Sequence, residues 1–449
     1  MLQDNDDAGM RTFCENLHPA TVAAALAGEF EVEEVWRFLQ HTNIKNQAVI
    51  FEYFPIDWQV KMVEGTGRQA MAKLIEQMSP DDRAGLMRRL MPRVQEGLLR
   101  LVDEANRRDI AQLVNYQAST AGALMTTDYA WLPDNISAAE ALDRLRLQAP
   151  DRETIYYIFI LDDDRKLKGV VTLRDLILAP RHALIRDLME EDVVHVHVGD
   201  DRRKVAQAMA RFDLLAMPVV DEQGRLVGIV THDDALDAVV EEATEDVHRL
   251  GAVGPLAENY LDANIITIWR KRVVWLAVLF IAEMFTFTAM AWFDDALKAV
   301  TVLALFVPLC ISTGGNSGSQ AATLIIRAMA LGQVTVQDWF RVLRHELLLG
   351  ILLGLALGAI GLVRAYFLTP DHVLANTDGS HTDPLRLALV IGQAVTAICI
   401  WGTLIGSMLP LVFRRLGVDP GFASSPFVAT FVDVTGIVIY FLIAKAWLL

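Results

Sequence analysis

From residue 268 to its end the chain is a succession of apolar runs, each long enough to cross a bilayer, which takes roughly 20 mostly apolar residues. Backbone polar groups inside such runs must be satisfied within the protein, so this half is restricted to membrane helices. Five spans are expected, at 268–292, 298–331, 343–368, 385–412 and 425–449. Two segments are nevertheless too polar for lipid. Residues 312–320 read STGGNSGSQ, and 424–449 read SSPFVATFVDVTGIVIYFLIAKAWLL, with one carboxylate, Asp433, between Thr430 and Thr435. A charge at that depth costs several kcal/mol unless it faces water, a partner or an ion. A buried aspartate bonded to a neighbouring helix is the plainer alternative, but two polar segments in one membrane domain read as the walls of a polar pathway.

Other features of this half are weaker. Pro308 and Gly314-Gly315 predict a break in the second span, tolerated only where it lines protein or water. Gly350, Gly354 and Gly358 recur every fourth residue in the third span and point to close helix packing. Glu283, in the first span, reads equally as a helix–helix hydrogen bond or as part of an ion route. Arg270, Lys271, Arg272, Arg327, Arg341, Arg344, Arg414 and Arg415 fall on one side, which is expected to be cytoplasmic. The loop 370–384 lacks Lys and Arg and is expected outside. The expectation is a multi-pass protein of the cell (inner) membrane, with its N-terminus cytoplasmic and its C-terminus outside.

Up to about residue 262 the chain is charged, and most of the net charge of −16 sits there. That balance argues against nucleic acid and favours cations as partners. Cys14, Cys310 and Cys399 have no metal-ligand spacing and read as packed thiols. The acidic N-terminus has no apolar core of a secretory signal. Helical periodicity runs through 11–112, with Val22, Leu26, Val35 and Leu39 on apolar faces and breaks at Ser79-Pro80 and Met91-Pro92. A repeat follows: 161–172 (LDDDRKLKGVVT) matches 220–231 (VDEQGRLVGIVT). Each copy is a hairpin signal preceded by a helix and strand and followed by another helix. Then 231–254 brings Asp234, Asp237, Glu241, Glu242, Glu245 and Asp246 onto one predicted helix. At spacings of three and four, such carboxylates repel one another unless a divalent cation bridges them. A solvated acidic helix is the bland alternative; its position directly before the first span favours a functional one.

The repeat resembles a pair of CBS domains over about 121–240, each copy ending in a Gly-apolar-apolar-Thr-x-x-Asp string, at 169–175 and 228–234. That resemblance implies an adenine-nucleotide site at Thr172 and Asp175, with Tyr157 and Arg174 stacking and pairing with the ligand. The strings STGGNSGSQAATLIIRA, RRLGVDPGFASSPFVATFVDVTG and EEATEDVHRLGAV, with the domain order, resemble the MgtE family of magnesium channels over nearly the whole chain. The resemblance implies a multi-domain fold: an all-α N-terminal domain (1–120), an α/β tandem CBS pair (121–240), an acidic connecting helix (241–266) and a five-span α-helical transmembrane domain (267–449). It further implies a homodimer in the lipid bilayer that takes up Mg2+, is closed by intracellular Mg2+ and is modulated by ATP. Asp433 then matches the ion-coordinating carboxylate, and Ser312, Gly315, Asn316, Ser319, Thr323, Ser425 and Ala429 line the pore. Asp234, Asp237, Glu242, Glu245 and Asp246 match the sensing face, with Asp201 and Asp213 as further metal ligands. The chain departs from the family in having Ser319 and Ser425 where the pore often has Asn. It has Lys61 and Arg203 where sensing carboxylates stand, and Leu214 in place of a stacking aromatic. Two rivals stand beside this reading: an ion-coupled transporter of Co2+ or Mn2+ using Glu283 and Asp433 together, and a membrane-tethered nucleotide sensor. With no phosphate loop, no nucleophile–base pair and no zinc spacing, the chain is not expected to be an enzyme.

Overall fold

The computed structural model describes residues 7–256, 260–261, 263–370, 374 and 381–448, in two compact units, Met1–Glu242 and Ala243–Leu449. Most of the loop 370–384 and the last residue of the fifth expected span lie outside the described residues.

The first unit opens with short helices from α1 (Asp7–Asn16) to α9 (Glu104–Val114). Ser79 and Met91 are helix N-caps followed by Pro80 and Pro92 at the first helical position, where the missing N–H is no loss. Val22, Leu26, Val35 and Leu39 are buried in one core with Phe51, Met71 and Leu86. After the one-turn helix α10 (Ala121–Leu124) come two three-stranded sheets. The first is ordered β1 (Tyr129–Leu132), β2 (Thr154–Leu161), β3 (Leu167–Thr172), with α11 (Ala138–Gln148) before β2 and α12 (Leu173–Leu178) after β3. After α13 (Ile185–Leu188), the second is ordered β4 (Val196–His197), β5 (Ala216–Val220), β6 (Leu226–Thr231), with α14 (Arg202–Phe212) before β5. In each, the first pair is parallel and the second antiparallel. Tyr129, Phe159, Leu161, Ala216, Leu226 and Ile229 form a core shared by both sheets. The acidic segment is a single helix, α15 (His232–Leu250).

The second unit contains α16 (Ile265–Trp292), α17 (Asp294–Ala299), α18 (Leu303–Ala330), α19 (Trp339–Phe367), α20 (Pro384–Arg415) and α21 (Ser425–Leu448). Among the described residues four helices are long and apolar enough to cross a membrane: Ile265–Trp292, Val336–Phe367, Pro384–Arg415 and Ser425–Leu448. At 28 residues α18 matches α16 in length, and only its polar string sets it apart from those four.

The expected break in the second span is not there. α18 runs unbroken through Pro308, Gly314 and Gly315; the chain breaks earlier, at 300–302, between α17 and α18. The glycines serve packing instead. A Cβ at Gly314 would lie 2.7 Å from Val432 Cγ1, and one at Gly318 would lie 2.8 Å from the Gly402 carbonyl, so α18 lies against the backbone of α20 and takes side chains of α21 onto its glycines. Gly350, Gly354 and Gly358 of α19 are buried against α20, where Thr396 Oγ1 donates to the Gly354 carbonyl at 2.9 Å. All three cysteines are buried free thiols.

Candidate functional site

Five of the expected pore residues come together. Ser312, Gly315 and Asn316 of α18 and Ala429 and Asp433 of α21 line one cleft of about 370 Å3, with Val307, Pro308 and Ile311 beside them. Gly315 makes the room: a Cβ there would lie 3.5 Å from both Ala429 and Asp433 Oδ1. Thr435, two residues beyond Asp433, accepts a 2.8 Å hydrogen bond from Trp401 Nε1 of α20, which fixes the turn carrying the carboxylate. Ser319, Thr323 and Ser425 are not in the cleft. They continue its seam: Ser319 Oγ donates to the Ser425 carbonyl at 3.1 Å, and Thr323 Oγ1 to the Ser319 carbonyl at 2.9 Å.

The faces of α18 differ sharply. Gly314, Ser317, Gly318 and Ala321 are buried, and Ser317 Oγ donates to the Cys399 carbonyl at 3.3 Å. Ser312, Asn316 and Thr323 are exposed, and Ser319 is half-exposed. The spacing of four, three and four puts all four on one side of a helix. A polar stripe of this kind in hydrocarbon needs water or a partner.

Glu283 and Thr286 of α16 complete the cleft, and Thr286 Oγ1 donates to Glu283 Oε1 at 3.0 Å. Glu283 therefore has a partner on its own helix, and it also faces the space that Asp433 faces.

In the first unit the structure sets Asp234, already singled out by spacing, among residues that spacing alone did not bring forward. Glu52, the last residue of α4 (Ile44–Glu52), Asp81 and Asp82 of α7 (Pro80–Arg89), Glu153, Asp233 and Asp234 act on one another electrostatically. Surrounding protein desolvates them and their like charges add to the effect. Asp234 is pushed up to about 9 by burial and Asp81, although Thr231 donates a hydrogen bond to it. Asp82 is pushed up to about 7 by burial, Asp81 and Glu52, and Glu153 likewise by burial, Asp81 and Asp233. Glu52 reaches about 7 by burial even though Ser79 N donates to it at 2.6 Å. Burial and Asp233 raise Asp237 as well.

The remaining sensing candidates are held differently. Burial opposes the charge on Glu242, yet hydrogen bonds from Arg202 and Arg203 keep its carboxyl below the usual range. Glu245 accepts from Arg249 Nη2 at 2.9 Å, and Arg249 also pairs with Asp419, the N-cap of the turn Pro420–Phe422 before α21. Asp246 is half-buried on α15. Asp201 caps α14, accepting from Arg203 N at 2.8 Å, and Asp213 ends it in the left-handed conformation. Among the described residues, no three His, Cys, Asp or Glu side chains converge closely enough to hold a metal ion.

At the expected nucleotide site, Tyr157 pairs with Thr172 across β2 and β3. Thr172 caps α12 and donates to Asp175 at 2.5 Å, while Arg174 is exposed and Leu214 half-buried.

Three family models match: MgtE, a divalent cation transporter, over 307–443; the MgtE intracellular N domain over 17–119; and the CBS domain over 121–182 and 185–241. The magnesium transporter MgtE of Thermus thermophilus is 38% identical over 447 residues, covering 99% of this chain and 96% of that protein. The chain belongs to the MgtE family. A second MgtE, from Enterococcus faecalis, is 34% identical over 76% of this chain and 72% of its own. Among solved structures, the cytosolic domain of the Mg2+ channel MgtE in complex with ATP matches with a TM-score of 0.50 and 35% identity. That match covers 53% of this chain and 96% of that one. The soluble part of a magnesium transporter matches at 0.51 and 30%, covering 54% and 95%. As an MgtE, the chain is a multi-pass membrane transporter and not an enzyme, and its paired repeats are CBS domains.

Proposed function

We propose that this MgtE is a homodimeric channel that admits Mg2+ down its electrochemical gradient, with Asp433 of each copy facing the other across a twofold axis. The cleft carrying Asp433, lined by small and hydroxyl-bearing residues, is the observation that supports this reading. Magnesium parts with its inner waters reluctantly and is usually held by few carboxylates with waters retained. One aspartate is a poor site for it, but symmetry doubles the aspartate. The exposed polar stripe of α18 calls for the same partner. The relatives named as magnesium transporters support the choice of ion. Spans are α16, α18, α19, α20 and α21, five in all, which carries the C-terminus to the outside.

Cytosolic Mg2+ closes the channel by binding the cytosolic carboxylates. Glu52, Asp81, Asp82, Glu153 and Asp234 act on one another electrostatically and support that role; since no three of them converge as direct ligands, the ion would be held with its waters between. Asp237, Glu242, Glu245, Asp246, Asp201 and Asp213 extend the face. Glu242 enters only by exchanging its arginine partners for the ion. The Thr172–Asp175 cap offers a hydroxyl and a carboxylate to ATP, with Tyr157 opposite Thr172 on the paired strand and Arg174 within the cap, and a neighbour's solved ATP complex supports this.

Mg2+ uptake by proteoliposomes tests the pore. Asp433→Ala removes an attraction of about 3 kcal/mol or more for a divalent ion, so flux should fall at least roughly a hundredfold. Unchanged flux would sink the assignment.

A further inference from the structure

α16 is a lipid-facing helix: Phe280, Ile281, Met284, Phe285 and Phe287 are all exposed apolar side chains. Glu283 stands among them yet is half-buried and lines the same cleft as Asp433. A carboxylate on such a helix costs several kcal/mol unless it is compensated. The hydroxyl of Thr286 orients one of its oxygens, as outer partners orient the ligands of a metal. That bond alone does not neutralise the charge, and a second carboxylate in one cleft adds repulsion. A divalent cation between the two reverses that sign.

The size of the cleft favours an ion that keeps its water. At about 30 Å3 per water, the cleft of about 370 Å3 accommodates a Mg2+ ion with six waters. Those waters present hydrogens outward, and carboxylate oxygens accept them. Asn316 and Ser312, bonded to each other at 3.3 Å, line the same space.

We propose that Glu283 is a second, outer-sphere carboxylate of the ion path, binding the water shell of the ion that Asp433 holds and setting the preference for divalent over monovalent cations. The proposal rests on the channel reading above. It adds a residue from α16, the helix that follows the acidic connecting helix in the chain.

The test uses the full chain in proteoliposomes, with Mg2+ entry followed by an internal dye and Na+ permeation by tracer. Glu283→Gln keeps the shape and the Thr286 hydrogen bond and removes the charge. A carboxylate near 6 Å from a divalent ion, at the dielectric of water, is worth about tenfold in occupancy. Glu283→Gln should therefore raise the half-saturating Mg2+ about tenfold and lower the Mg2+:Na+ ratio, with the saturated rate within about twofold. Glu283→Asp, which restores the charge, should recover most of both. If Glu283→Gln leaves half-saturation and selectivity unchanged, or if Gln and Asp lose them equally, Glu283 only supports the helix and the proposal is overturned. A wild-type protein that passes no Mg2+, or an Asp433→Ala variant that still conducts, would overturn the channel reading instead.

Discussion

At Gly318 a single added methyl meets the Gly402 carbonyl at 2.8 Å, and neither backbone has a side chain to move aside. Gly318→Ala should cost about 1–3 kcal/mol by overpacking, seen as a lowered thermal midpoint of the solubilised protein. Gly315 is the useful contrast. Its added methyl would find Ala429 and Asp433 at 3.5 Å, ordinary contact distance. Gly315→Ala should leave the midpoint unchanged and reduce Mg2+ flux by narrowing the cleft. If both variants behaved alike, the division of α18 into a packing face and an ion face would be wrong.

Arg249 holds both Glu245, four residues back on α15, and Asp419, which caps the turn leading into α21. On the gating proposed above, a cation taken up by Glu245 would compete with the guanidinium, and binding on α15 would reach the start of the helix carrying Asp433. Arg249→Gln should weaken inhibition by internal Mg2+, shifting the half-inhibiting concentration while leaving flux at low internal Mg2+ intact; inhibition curves that superimpose would refute the link. At this scale much was legible in the sequence. The hairpins, their flanking helices and the long apolar helices follow from hydrophobic period and length, and the polar strings of α18 and α21 announced the cleft. The break expected at Gly314-Gly315 was misread because glycine serves close packing as readily as irregular backbone. The short β1 and β4 carry too few residues for a period. The Glu52, Asp81, Asp82, Glu153 and Asp234 cluster draws on segments scattered from 52 to 234, and no local spacing reveals that. Glu283 stood out as an intramembrane carboxylate, but only the fold puts it beside Asp433.

For the molecule as a whole, the crowded carboxylates make stability depend on pH in a defined direction. Asp234 rises from 3.8 to about 9, and Asp82 from 3.8 to about 7, on burial. Folding thus favours their protonated forms. Their contribution is full below about pH 4, the unfolded value, and is lost as pH rises through about 7 to 9. In chelator, the cytosolic half should melt earlier at pH 9 than at pH 6; Mg2+ should flatten that slope, and Asp234→Asn should reduce it. A slope of opposite sign, or one indifferent to Mg2+, would count against a cation at this cluster. The open edge of α18 has a different consequence. On the homodimer reading proposed above, a solitary copy leaves Ser312, Asn316 and Thr323 against hydrocarbon, and its survival would depend on how often it meets another in the plane of the bilayer. Scarce copies should be cleared sooner than abundant ones, and conductance per copy should climb with expression before it levels off.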